Sequence, residues 1–71
     1  MSTYLIVIEK TETGFSAYSP DLPGCIATGG TREEVEHEMK AAIAFHVEGL
    51  KLAGYEVPQP KAQAAYCEVA A

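Results

Sequence analysis

The side chains able to do chemistry are few and scattered. Ten acidic residues stand against five basic ones, for a net charge of −5. Asp21 sits between two prolines in Ser19-Pro20-Asp21-Leu22-Pro23-Gly24-Cys25, and Glu9 closes a β-branched run. Carboxylates at such places can begin a divalent-metal site, in which the ions activate water and stabilise a leaving oxygen. That chemistry needs several carboxylates converging on one point. Here Glu33, Glu34, Glu36 and Glu38 crowd the start of one helical stretch and point to solvent. Glu68 is the one further acid in a strand-like run. Asp21 therefore reads first as turn chemistry, its carboxylate accepting from nearby backbone amides. No catalytic, cofactor-binding or metal-ligating residue is assigned.

The nucleophile candidates fare no better. His37 and His46 lie about two and a half helical turns apart, so they face roughly opposite sides and cannot form one metal pair. His46 falls on the apolar stripe, as a core or interface histidine; His37 faces solvent. Cys25 and Cys67 have neither zinc nor redox spacing. Both are read as small buried thiols in strand-like runs. A Cys25–His46 pair lacks an orienting third group and an oxyanion-type loop. Ser16 and Ser19 have no nucleophile-elbow context. Gly29-Gly30-Thr31 could present amides to an anion at a helix start, but Glu33 and Glu34 behind it would repel one.

The elements that must carry these residues follow from pattern and punctuation. Residues 4–9 are β-branched and aromatic, apolar on both faces, which is the signature of a central strand. A polar loop ending at Gly14 leads to a second strand over 15–19, making a hairpin. Pro20 and Pro23 cannot donate to a ladder and force extended backbone before them, so 19–25 is a turn or bulge at a sheet edge. Residues 25–28 form a third strand. Thr31-Arg32-Glu33-Glu34 fits a capping box, with Thr31 capping an early amide and Glu34 reaching back to the Thr31 amide. Val35, Met39, Ala42, Ile43, His46, Val47 and Leu50 then recur at spacings of three and four. That predicts a helix over 32–53, stopped by Gly54. Gly49 inside it suggests close approach of another backbone. Met39 and Phe45 read as core or interface packing. A proline-stiffened connector over 55–60 leads to a fourth strand over 64–69.

The expected fold is α+β, in the order β-β-β-α-β, as one domain over 1–71. Three strands form an antiparallel meander, and a right-handed crossover brings the fourth parallel to the first. The sheet order would be 3-2-1-4, with one helix on one face: the first part of a ribonuclease H-like fold. The other face needs cover, and a homo-oligomer supplies it, through that face or through the edge strand after the proline-rich turn. A chain of 71 residues buries only about 60% of its unfolded surface, which also favours assembly.

Charge and hydropathy exclude some functions. An acidic chain lacks the basic footprint that direct nucleic-acid binding requires. No apolar run is long enough to span a membrane. Met1-Ser2-Thr3 runs into the first strand without a basic, signal-like region, so a cytoplasmic location is expected. The helix acids form either a solubilising face or a surface for a basic partner.

Several segments together resemble the HicB-like antitoxin family, in its N-terminal, partial ribonuclease H-like domain. They are Gly14-Phe15-Ser16-Ala17, the run from Ser19 to Cys25, Thr28-Gly29-Gly30-Thr31-Arg32-Glu33-Glu34-Val35, Gly49-Leu50, Gly54, and Pro58 with Pro60. The resemblance implies a non-enzymatic antitoxin of a type II toxin–antitoxin pair. Its partner would be a small basic HicA-like toxin that cleaves messenger RNA, neutralised by occlusion. It also implies homo-oligomers. Many family members carry a C-terminal DNA-binding domain, which this sequence does not show. Alternatives are a weak or degenerate metal-dependent nuclease and an oligomeric scaffold without a toxin. The residues expected to meet a partner or another subunit are Asp21, Leu22, Pro23, Glu33, Glu34 and Glu36.

Overall fold

The structure, a computed structural model, describes residues 2–70. Three strands, β1 (Val7–Lys10), β2 (Phe15–Tyr18) and β3 (Ile26–Gly29), precede one helix, α1 (Arg32–Leu52). The strands form an antiparallel sheet in the order β1-β2-β3. Val7 pairs with Tyr18 and Lys10 with Phe15, while Tyr18 pairs in turn with Ile26 and Phe15 with Gly29. The architecture is α+β, as expected.

The register decides which side chains enter the core. Ile8, Ala17 and Ala27 share one row and face the helix, where Ala17 is buried. Leu22, Val35 and Met39 are fully buried, with Cys25 beside them. Tyr4, Ile6, Phe15, Ile43 and Val47 pack around this centre. The apolar stripe on α1 thus does what its periodicity requires.

Capping fixes both ends of the helix. The Thr31 hydroxyl accepts from the Glu34 amide at 3.1 Å. Glu34 Oε2 in turn accepts from the amide of Gly30 at 3.1 Å, not from that of Thr31. The box therefore closes one residue earlier than expected. At the other end Gly54 donates to the Lys51 carbonyl and Tyr55 to that of Leu50, a Schellman pair of bonds around the Ala53 cap. Gly29 explains how α1 sits so close to β3: a Cβ there would lie 2.7 Å from the Val35 amide nitrogen. Gly49, by contrast, has open space beside it, so no other backbone among the described residues approaches it.

Two expectations about the sheet are overturned. No fourth strand forms over 64–69; residues 55–70 carry neither helix nor strand. The sheet order makes β1 an edge strand rather than an interior one. The physical reason is the same for both. Apolarity on two faces shows that a strand wants cover, but not which segment supplies it. The C-terminal segment is anchored elsewhere and does not reach the β1 ladder.

Candidate partner interface

The turn between β2 and β3 is two consecutive β-turns. Leu22 donates to the Ser19 carbonyl at 3.1 Å, and Cys25 to that of Leu22 at 3.1 Å. Each turn has proline at its second position, pre-set at the required φ. Gly24 follows Pro23 with φ of 82°, as the third position of a type II turn demands. The Ser19 amide closes the excursion on the Cys25 carbonyl at 3.4 Å. The buried Ser19 hydroxyl donates to the Leu5 carbonyl at 2.9 Å, tying the turn to the segment that enters β1.

This double turn drives Leu22 inward and leaves Asp21 at the surface margin. Leu22 is 0% exposed, so its expected role as a contact residue is corrected: it is core. Pro23 is exposed and Asp21 half-buried. The Asp21 carboxylate does accept backbone amides, but not neighbouring ones. Its Oδ2 takes the N–H of Lys61 at 3.1 Å and that of Ala62 at 3.0 Å. A carboxylate accepting two amides is a strong, charge-assisted anchor. A second anchor is the Tyr4 hydroxyl, which donates to the Pro58 carbonyl at 2.6 Å. Sequence reasoning missed both. Tyr4 read as a strand residue, and nothing in the local pattern signals a partner more than 50 residues away.

The acidic patch lies on the first turns of α1. Glu33, Glu34 and Glu36 are all exposed. Glu34 is engaged in the cap, and Glu36 pairs with Arg32 at 3.1 Å across one helical turn. Such an exposed pair contributes little to stability. Among the described residues no hydrogen bond or ion pair joins this patch to the Asp21 turn, so the expected contact residues fall in two groups rather than one site.

The remaining chemistry candidates separate. Cys25 is in the core, and burial pushes its thiol up from the ordinary range, away from the reactive thiolate. Cys67 is exposed, which corrects its reading as a buried thiol. His37 is exposed and His46 half-buried. Among the described residues there is no group of three or more His, Cys, Asp or Glu placed to hold a metal ion. No helix among them is long and apolar enough to cross a membrane.

The face of the sheet away from α1 is uncovered. Val7, Tyr18 and Ile26 form one apolar row across all three strands, with Ile26 69% exposed. The next row, Glu9, Ser16 and Thr28, is polar. Phe45, 83% exposed, adds a second apolar point on the outer side of α1. Phe45 is therefore not core, although Met39 is.

A family model described as the HicB-like antitoxin of bacterial toxin–antitoxin systems matches residues 4–70. The chain belongs to the HicB-like antitoxin family. A chain of a HicA3 and HicB3 toxin–antitoxin complex superposes on this HicB-like fold with a TM-score of 0.73 and 38% identity, over 83% of this chain and 70% of that one. An uncharacterized 14.9 kDa protein of Haemophilus phage HP1 is 41% identical over 56 residues, which is 79% of this chain but only 42% of the phage protein. This HicB-like chain thus spans less than half the length of that relative. A UPF0150 protein of Thermoplasma acidophilum is 34% identical over 84% of this chain and 88% of its own length.

Proposed function

We propose that this HicB-like protein is a non-catalytic antitoxin that binds a small basic, messenger-RNA-cleaving toxin of the HicA type and occludes its working surface. The observation that carries the reading is family membership over nearly the whole chain, joined to likeness with a member of a toxin–antitoxin complex. The exposed acids Glu33, Glu34 and Glu36, on a chain of net charge −5, give the field that draws in a basic partner. Asp21 and Pro23 at the double turn are the second contact region. In this reading the protein acts in the cytoplasm, where messenger RNA is cleaved.

The nuclease alternative has less support, because Asp21 Oδ2 is already taken by two backbone amides and no further carboxylates converge on it among the described residues. Self-association is part of the proposal. The apolar row Val7–Tyr18–Ile26 is the kind of surface that assembly covers.

The test is a binding assay with a purified HicA-type toxin from the same genome, with RNA cleavage followed in parallel. Stoichiometric complex formation with loss of cleavage is expected. Reversing Glu33 and Glu36 to lysine should weaken the complex and flatten its salt dependence. Metal-dependent RNA cleavage by the antitoxin alone, abolished in Asp21→Asn, would overturn the non-catalytic reading.

A further inference from the structure

The β1 edge is a strand acceptor without a strand. Val7–Lys10 pair with β2 on one side only. Beside β1 runs a groove of about 790 Å³, lined by Leu5, Val7 and Ile8, by the cations Lys10 and Arg32, and by residues 62–66. An open edge of this kind is normally blunted or paired. Residues 63–70 are the converse, a strand donor without an acceptor. Every one of them is exposed, Tyr66 completely and Val69 at 81%.

The two do not pair with each other within the chain. Pro58 and Pro60 stiffen the connector and bias the residues before them to extended backbone. Asp21 then holds the amides of Lys61 and Ala62. The segment therefore passes β1 across the groove instead of at the ~4.8 Å spacing of paired strands. The radius of gyration records the consequence. It is 13.8 Å, against about 11 Å for a compact domain of this length.

We propose that residues 63–69 of a second copy add to the β1 edge as the fourth strand of the sheet, with two copies exchanging their tails. The proposal rests on the self-association read above and specifies its mode. Main-chain hydrogen bonds would supply the affinity, as in other strand additions. Exchange between identical chains satisfies both edges with one self-complementary contact. Charge agrees: residues 62–70 carry one acid, Glu68, and no base, while the groove offers Lys10, with Arg32 beside it paired to Glu36. Two chains that repel through their net charge thus meet where acid faces base.

The test places the photo-crosslinker benzoylphenylalanine at the fully exposed position 66, in an equal mixture of ¹⁴N- and ¹⁵N-labelled protein. Crosslinked peptides are identified by mass, and light scattering at micromolar concentration gives the assembly state. Mixed-isotope crosslinks from residue 66 to the peptide carrying β1 are expected. Ala65→Pro, which breaks the strand in its middle and leaves the Asp21 anchor intact, should raise the dissociation constant by about tenfold or more. Crosslinks to β1 confined to one isotope would overturn the exchange. An oligomer whose crosslinks miss β1 would overturn it too, while leaving self-association standing. A monomer would overturn both.

Discussion

The Ser19–Cys25 turn and the 55–70 segment both contain two prolines, yet they behave as opposites. In the turn, each proline opens a hydrogen-bonded β-turn, and the residue between the turns, Leu22, is locked in the core. In the C-terminal segment, the prolines only stiffen an extended path that touches the body at Tyr4 and Asp21. Proline restricts φ in both places. What differs is whether the restricted chain meets its own partners within four residues or must find them across the molecule. Local closure gives a fixed element; distant anchoring leaves the segment held by a few separate bonds.

That contrast can be broken most forcefully at Leu22. Leu22→Ala leaves a cavity under the turn and should cost about 2–5 kcal/mol, a large part of the stability of so small a domain, as read by a urea melt. In protein dilute enough to be monomeric, Tyr66→Ala in the tail should shift the same melt by less than about 0.5 kcal/mol. Equal losses would mean that the tail belongs to the cooperative unit.

Asp21 links the two regions, so its effect should be local. Asp21→Ala removes both tail bonds, a loss of about 1.5–3 kcal/mol in the docking of 61–62. Trypsin should then cut after Lys61 at least several-fold faster, with the urea midpoint of the core moving much less. Tyr4→Phe removes the second anchor and should cost about 0.5–1.5 kcal/mol, seen as faster amide exchange over 57–62. An effect of similar size, but of a different kind, is expected away from both regions. Thr31→Ala removes the helix cap at a cost of about 1 kcal/mol, without changing cleavage after Lys61.

Much of this fold was legible because it is built from local rules. The capping box at Thr31, the apolar stripe from Val35 to Leu50 and the stop at Gly54 all act within one or two helical turns. They gave the helix to within a residue. The meander was legible for the same reason, since loop and turn chemistry sits beside the strands it joins. The edge position of β1 was not. Two-sided apolarity at residues 4–9 reads as a demand for cover, and here one face meets the helix while Val7 faces the open side. Tyr66 and Val69 likewise read as strand residues, but a strand exists only where a partner edge lies at hydrogen-bonding distance.

The candidate interface was only partly legible. The acids of α1 are exposed, as a polar helix face should be. Leu22 was expected to meet a partner because its turn reads as lying at a sheet edge, and only the double turn reveals that it points inward. The Asp21 carboxylate was correctly read as an amide acceptor, yet its donors lie about 40 residues away and leave no local trace. The outward-facing row Val7–Tyr18–Ile26 depends on strand register, which the length of the turn sets.

The most direct test of the central claim is co-expression with a HicA-type toxin from the same genome, followed by purification and an RNA-cleavage assay. A stable complex that dissociates as salt is raised, and in which cleavage is silenced, is the predicted result. A toxin that cleaves RNA undiminished and elutes apart from this protein would contradict the antitoxin reading.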